Sequence, residues 1–255
     1  MKKRIVCLLA IGAMLLSGCG IRGDITVNED GTYTTVSKMY LNEAEIAQLS
    51  SEEYGMSGSL SLDQATDVYE WNGVKYYGFA DEDSASGITE TLTEEDYGLT
   101  KGGFFIDMAV ANEEDVASVE EALEMYEFID MTITFPEEMS VANVKLSDDK
   151  KTVYLSKDDY TKLAKLYAFS EDAIANDKKG PGVINADNGS KIKNNKKYKS
   201  GLRLQFVDNA TGIKSSKLDG KNVNNGITVK KKGTHKLVLE DYAGNKSTIK
   251  FTIKK

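Results

Sequence analysis

The sign of the charge reverses along the chain, and this reversal most constrains how the protein can fold. Residues 20–172 carry 34 acidic and 10 basic side chains, whereas residues 173–255 carry 6 acidic and 19 basic side chains. A change from −24 to +13 predicts two domains with different surfaces. The reversal coincides with a polar stretch that ends in a Gly-Pro-Gly breaker, across which we expect few contacts. The predicted units are an acidic domain at 19–172, a linker at 173–182 and a basic domain at 183–255.

The amino terminus has a short positive segment followed by an apolar run. Lys2, Lys3 and Arg4 precede twelve residues, 5–16, that contain no charged side chain. A helix needs about 20 apolar residues to cross a hydrocarbon core of ~30 Å, so this run is too short to span a membrane. The pattern instead predicts a cleaved signal peptide over residues 1–18.

The string Leu16-Ser17-Gly18-Cys19 follows the apolar run and resembles the lipobox of bacterial lipoproteins. The resemblance implies cleavage between Gly18 and Cys19 and transfer of a diacylglyceryl group to the Cys19 thiol. Two acyl chains anchor a protein stably, whereas one chain binds only marginally. We therefore predict a protein held by lipid at the extracytoplasmic face of a cell membrane, in an envelope of Gram-positive type.

Strand-like and helix-like patterns alternate in the acidic domain. Asn28 to Gly31 and Asn72-Gly73 are turn sequences between apolar strands and predict two hairpins. Apolar residues at helical spacing predict a helix over 112–129, and the pair Ser156 and Asp159 predicts the capped start of another. The second helix is expected to continue through Leu163, Leu166 and Tyr167. The predicted fold of this domain is α+β, with two longer helices packed on an antiparallel sheet.

Two motifs in this domain resemble LppM-like lipoprotein domains. One is the stretch 24–33, DITVNEDGTY, and the other is MTITFP at 131–136, followed by Asn143 and LSDDKKTV at 146–153. The sequence departs from the family in Glu137, where a glycine often follows the proline, and in lacking a membrane-spanning stretch near its end. The resemblance implies an exported α+β domain able to hold a lipid or another apolar ligand.

Methionines are numerous in the acidic domain, and their side chains adapt well to apolar ligands. They could line a ligand pocket, but we favour an ordinary hydrophobic core as their explanation. The methionines concerned are Met39, Met56, Met108, Met125, Met131 and Met139.

The basic domain contains short apolar strands separated by glycine turns, which predicts a small all-β sandwich. Its stretch 233–245, GTHKLVLEDYAGN, resembles the ending of bacterial Ig-like domains, with His235 in place of the usual tyrosine. The resemblance implies an Ig-like sandwich in which Asp241, Gly244 and Asn245 shape a tight turn. We expect a structural role for these three residues and no metal site.

Lysines are concentrated in three parts of the basic domain, and a positive patch attracts polyanions. Lys230, Lys231 and Lys232 are the candidate contact, and anionic wall polymer or anionic lipid headgroups are the candidate partners. The alternatives are a solvated surface or a domain that docks on its acidic neighbour. Nucleic acid is not expected, because aromatic side chains that would stack on bases are not interleaved with the lysines.

Catalytic patterns are missing from the sequence. After cleavage, the only cysteine is the one predicted to carry lipid, and His235 is the only histidine. No phosphate-binding loop, zinc spacing or dinucleotide fingerprint is present, so we predict no cofactor. We therefore expect a non-enzymatic binding or adaptor lipoprotein with an apolar ligand or a protein partner. A structural or assembly role at the membrane is the alternative, followed by a carboxylate-based hydrolase. The acidic clusters 81–83, 94–96 and 113–115 could bind calcium, which takes oxygen ligands, but we favour a solvated surface as their explanation.

Overall fold

The computed structural model describes residues 19–49, 61–79, 88–91, 98–107, 123–162, 165–208 and 210–254. We refer to residues 19–172 as the acidic half, 173–182 as the connecting segment and 183–255 as the basic half. In chain order the elements up to the connecting segment are β1 (Gly20–Val27), β2 (Thr32–Asn42), α1 (Glu43–Leu49), a 3-10 turn (Leu62–Gln64), β3 (Asp67–Trp71), β4 (Val74–Phe79), β5 (Ile88–Thr91), β6 (Leu99–Thr100), β7 (Gly103–Asp107), β8 (Phe128–Thr134), β9 (Met139–Ala142), β10 (Lys145–Leu146), β11 (Thr152–Ser156), α2 (Lys157–Lys162), β12 (Lys165–Ser170) and α3 (Glu171–Asn176). The basic half contains β13 (Gly182–Asn185), β14 (Lys196–Tyr198), β15 (Leu202–Val207), β16 (Ile213–Leu218), β17 (Lys221–Asn222), β18 (Thr228–Val229), β19 (Gly233–Asp241) and β20 (Lys246–Ile253).

Two sheets form the acidic half. The larger has the order β10-β11-β8-β1-β2-β4-β3, with β5 also paired to β2, and the smaller has the order β6-β7-β12-β9. β1 runs parallel to β8 and antiparallel to β2. Ile25 and Ile133 from the larger sheet and Phe104 and Leu166 from the smaller sheet are buried in the same cluster. The main hydrophobic core of this half therefore lies between the two sheets.

Both hairpins expected from turn sequences are confirmed. Gly31 links β1 to β2 with a φ of 84°, a left-handed conformation that glycine adopts without steric cost. Asn72 and Gly73 link β3 to β4 with φ values of 50° and 78°. Positive φ at both central residues is what a two-residue type I′ turn requires, and Asn-Gly is the sequence that favours it.

The predicted α+β class with two longer helices is wrong, because the structure is mostly β. Apart from helical residues at 123–125, the α-helices in the described residues have seven, six and six residues. The cap at Ser156 does form, with its N–H donating to Asp159 Oδ2 over 2.8 Å, but α2 ends at Lys162. Leu166 and Tyr167 instead lie in β12, where β7 and β9 pair with the backbone from either side. Long-range pairing overrides the local helical spacing here.

Of the other predicted helix, 112–129, residues 112–122 lie outside the described residues and 123–125 are helical, but the last two residues are in a strand. Phe128 and Ile129 begin β8, and both side chains are fully buried in different clusters. A strand buried on both faces shows no polar alternation, so its sequence does not differ from that of a buried helical segment. This ambiguity explains why the predicted helix extends into the first residues of β8.

Two sheets also form the basic half, and they enclose one core. Their orders are β13-β15-β18 and β14-β20-β19-β16-β17. Leu204 and Phe206 from the first sheet share a buried cluster with Leu237, Leu239 and Phe251 from the second. Inward-facing residues alternate with outward-facing ones along β15 and β19, as in an antiparallel sheet with one solvated face. The Ig-like assignment of this half stays a prediction.

Side chains from both halves pack together beside the connecting segment. The Tyr242 ring lies 4.2 Å from the Tyr167 ring, 5.6 Å from Phe169 and 6.2 Å from Phe105, measured between centroids. Lys165 Nζ donates a 2.6 Å hydrogen bond to the carbonyl of Ile213. The expectation that few contacts cross this junction is therefore wrong, while the boundaries of the two domains stay a prediction.

Candidate functional site

A shallow cleft of about 520 Å³ opens on the basic half. The pairing of β15 with β18, which aligns Leu202 with Val229, brings the segment before β15 beside the residue after β18. Gly201 makes this approach possible, because a Cβ there would lie 3.0 Å from the Val229 carbonyl oxygen and 3.3 Å from Lys230. The lining residues are Asp187, Lys199, Ser200, Gly201, Leu202, Arg203, Thr228 and Lys230.

The charge of this cleft is predominantly positive. Its lining includes three cations, Lys199, Arg203 and Lys230, and one carboxylate, that of Asp187. Within the described part of the chain, none of the three cations forms a salt bridge. A guanidinium group can donate two parallel hydrogen bonds to a phosphate, and lysine ammonium groups add compact positive charge. The arrangement is therefore suited to a phosphate or carboxylate group.

The three lysines predicted as a polyanion contact are not equivalent in the structure. Lys230 lines the cleft, whereas Lys231 and Lys232 are exposed in the connection between β18 and β19 and are not among its lining residues. Sequence reasoning missed Arg203. The sequence did contain one indication of its position, because Arg203 lies between Leu202 and Leu204 in the alternating strand 202–207 and must therefore face outward.

His235 holds the connection that carries these lysines. Its side chain is buried, and its Nδ1 lies 2.7 Å from Asp219 Oδ2 while its Nε2 lies 2.8 Å from the Lys231 carbonyl oxygen. Burial opposes ionisation of Asp219, but hydrogen bonds from the Lys236 N–H and from His235 outweigh it and lower the pKa of this carboxyl. Both ring nitrogens of His235 are thus engaged in fixing the loop, which is a structural role.

Cys19, the predicted lipidation site, lies directly before β1 with its side chain buried. It belongs to a hydrophobic cluster with Leu41, Ile46 and Phe79, and its carbonyl oxygen accepts a 2.8 Å hydrogen bond from the Glu127 N–H. Burial, with a smaller contribution from the negative charge of Glu45, raises the pKa of the Cys19 thiol to about 11. Gly18, on the other side of the predicted cleavage site, lies outside the described residues.

Asp241, Gly244 and Asn245 lie together in the turn between β19 and β20. The Asn245 N–H donates to Asp241 Oδ1 over 2.7 Å, and the Gly244 N–H donates to the Asp241 carbonyl over 3.3 Å. Gly244 has a φ of 86°. The Asn245 side-chain amide also donates to the Asp177 carbonyl over 2.9 Å, which ties this turn to the connecting segment.

The residues considered for an apolar ligand are found in packed cores where the structure describes them. Met131 and Met139 are buried between the sheets of the acidic half, and Met39 and Met125 pack against the cluster around Cys19. These contacts favour the ordinary-core interpretation. Met56, Met108 and the acidic clusters 81–83, 94–96 and 113–115 lie outside the described residues.

The helices in the described part of the chain are short. Among its helices, none combines the length and the apolar character needed to cross a membrane.

Comparison with known proteins gives one weak structural similarity. No protein-family model matches the chain, and no curated protein matches it in sequence. In structure, the chain is weakly similar to the folded domain of the Mycobacterium tuberculosis LppM protein, solved by NMR. The identity is 11%, the alignment covers 62% of this chain and 95% of that one, and the TM-score is 0.25.

Proposed function

We propose that this protein is a lipid-anchored surface lipoprotein that binds anionic wall polymer through the cleft lined by Lys199, Arg203 and Lys230. The anchoring part rests on the LSGC string that ends at Cys19. The binding part rests on one observation: three cations that form no salt bridge among the described residues line the same open cleft. The protein acts here as an adaptor between membrane and wall and carries out no reaction.

The chemistry of the cleft favours a repeated phosphate over a single small anion. The cleft is open and shallow, so a bound ligand would be little enclosed. Small-molecule sites usually bury most of their ligand. A polymer of phosphodiesters instead gains affinity by presenting several charges along a surface, and wall teichoic acid has this chemistry.

Binding of the full, detergent-purified chain to poly(glycerol phosphate) teichoic acid tests the proposal. We expect measurable binding at low ionic strength that weakens as salt rises, since surface charges are screened over about 10 Å at 0.1 M salt. Replacing Lys199, Arg203 and Lys230 together by glutamine should lower the affinity by about fivefold for each cation removed.

A second triple variant, with Lys214, Lys217 and Lys221 changed to glutamine, removes the same charge from exposed positions that do not line the cleft. It should bind more tightly than the cleft variant. If both variants lose the same affinity, the overall positive charge of the basic half attracts the polymer and the cleft is not a specific binding site. Binding to anionic vesicles without binding to teichoic acid would reassign the cleft to lipid headgroups.

A further inference from the structure

Three carboxylates from separate parts of the chain converge at the junction of the two halves. Asp177 follows α3, Asp208 follows β15 and Asp241 ends β19. Carboxylate oxygens of the three residues all lie within 4.8 Å of one another. Asp177 and Asp241 are 7% and 0% exposed, so two of the three acids are removed from water.

Neutral donors hold two of these carboxylates in place. Asp208 Oδ1 accepts hydrogen bonds of 3.0 Å from the N–H groups of Ala210, Thr211 and Gly212. The Thr211 hydroxyl donates to Asp177 Oδ2 over 2.6 Å. Within the described residues, no lysine or arginine forms a salt bridge with any of the three acids. Hydrogen bonds thus position the group without neutralising its charge.

The carboxylate of Asp241 has a hydrogen-bond partner on only one of its two oxygens among the described residues. Its Oδ1 accepts the Asn245 N–H, but its Oδ2 is buried and has no hydrogen-bond partner among the described residues. A buried charged oxygen without a partner is strongly unfavourable, and such groups are normally paired or coordinate metals. Burial, and then the negative charge of Asp177, raises the pKa of Asp241 and also that of Asp208. Among the residues that the structure describes, the cluster therefore lacks a positive counter-charge.

We propose that Asp177, Asp208 and Asp241 bind one calcium ion. The donor set contains only oxygen, which suits a hard cation and disfavours zinc, whose usual ligands are nitrogen and sulfur. Calcium binds oxygens at 2.3–2.6 Å, so two ligands on opposite sides of one ion are about 4.8 Å apart. The carboxylate oxygens of the three residues lie within this span of one another, so one ion could contact all three. Magnesium usually keeps several of its waters and is held by only one or two carboxylates, so a set of three protein carboxylates suits it less well.

The position of the site gives it a structural consequence. The ion would join the connecting segment, through Asp177, to the end of β15 and to the turn after β19. Tyr242, the residue after Asp241, contacts Tyr167 of the acidic half. Calcium bound here would therefore hold the basic half against the acidic half. This inference is independent of polymer binding, because none of the three acids lines the basic cleft.

Calorimetric titration of the full chain with calcium chloride, after removal of divalent ions by chelation, tests the site directly. We expect one calcium ion per chain, with a Kd on the order of 10⁻⁴ to 10⁻³ M, as in extracellular calcium modules. At ten times the Kd, calcium should raise the Tm by about 3–6 °C. It should also slow proteolysis within residues 173–182. Absence of calcium binding at millimolar concentrations would overturn the proposal, and an equal Tm rise with magnesium would overturn the assignment to calcium.

The substitution Asp241→Asn tests whether Asp241 binds the calcium ion. Asparagine retains the Oδ1 acceptor for the Asn245 N–H and replaces the unpartnered Oδ2 with a neutral amide. Calcium affinity should fall at least tenfold, while the Tm in chelator should stay at or above that of the unmodified protein, because repulsion among the acids is reduced. Asp148→Asn is the matched control, because it removes one exposed carboxylate that is not part of the cluster. This variant should bind calcium as tightly as the unmodified chain.

If Asp241→Asn does not fold, Asp208→Asn takes its place, since an asparagine oxygen can still accept the three backbone N–H groups. A folded variant at either position that binds calcium as tightly as the unmodified chain would refute the site.

Discussion

The Cys19 side chain lies in a packed cluster with Leu41, Ile46 and Phe79, whereas lipidation would attach a diacylglyceryl group to its sulfur. The two states are incompatible at this residue, because a thioether to a lipid cannot occupy the space that the buried thiol fills. The reactive form of a cysteine is the thiolate, and the fold disfavours the thiolate by burial. We therefore expect lipid transfer to precede closure of this cluster and the lipidated residue to lie outside it.

Alkylation of Cys19 with iodoacetamide measures this protection. A full, unlipidated chain with Cys7→Ser leaves Cys19 as the only thiol. Raising the pKa from 9.0 to about 11 lowers the thiolate fraction by about 100-fold below pH 9, so the folded chain should react at least that much more slowly than the chain in urea. The folded rate should rise about tenfold per pH unit until the pH approaches 11. Equal rates in folded and unfolded chains at pH 8 would show that the thiol is accessible.

At the scale of elements, β12 shows how a sequence with helical spacing becomes a strand. Asn143 binds its backbone at two points: its Nδ2 donates to the Lys165 carbonyl over 2.7 Å, and its Oδ1 accepts the Tyr167 N–H over 2.8 Å. The pairing of β12 with β9 begins only at Ala168. The two bonds from Asn143 therefore give hydrogen-bond partners to backbone groups of β12 that β9 does not reach. A side chain 22 residues away thus helps to decide the conformation.

Removal of this side chain should weaken β12. Asn143→Ala leaves a carbonyl and an N–H of a partly buried strand without partners, so we expect a loss of about 1–3 kcal/mol in the free energy of unfolding. Urea unfolding followed by circular dichroism measures it. Asn143→Asp keeps an acceptor for the Tyr167 N–H and loses only the donor, so its loss should be smaller. A neutral Asn143→Ala would indicate that pairing with β7 alone holds the strand.

At the scale of the whole molecule, the aromatic side chains at the junction couple the two halves. Tyr242 of the basic half contacts Tyr167, Phe169 and Phe105, and Gly212 lies so close to Phe105 that an added Cβ would be 2.3 Å from its ring. Residues of the basic half are therefore packed closely against the aromatic side chains of the acidic half. The two halves, which carry opposite net charge, are thus joined by apolar and hydrogen-bonded contacts in addition to the chain itself.

Loss of the Tyr242 ring should uncouple the halves. Tyr242→Ala removes three aromatic contacts from a half-buried position, and we expect a cost of about 1–3 kcal/mol. Limited proteolysis should then cut within residues 173–182 faster than in the unmodified chain. Tyr242→Phe keeps the ring and should behave nearly as the unmodified chain does. If Tyr242→Ala is cleaved and unfolds like the unmodified protein, the aromatic contacts contribute nothing to coupling.

Local chemistry accounts for what could be predicted correctly from the sequence. The turns at Gly31 and at Asn72-Gly73 were predictable because a positive φ is a steric requirement of one or two residues. The cap between Ser156 and Asp159 was predictable for a similar reason, since its hydrogen bonds span only three residues. The charge reversal and the LSGC string likewise need no knowledge of the fold.

The tertiary structure alone decided which strands form and which side chains meet. Residues 165–170 are a strand because β7 and β9 lie on either side of them, and nothing within six residues specifies those neighbours. Lys199 and Lys230 meet through the pairing of β15 with β18, and Asp177, Asp208 and Asp241 meet at a junction that the sequence did not predict. The physical reason is the same in each case. Conformation at a turn is set by sterics within a few residues, whereas pairing and convergence depend on backbone hydrogen bonds and core packing between segments far apart in the chain.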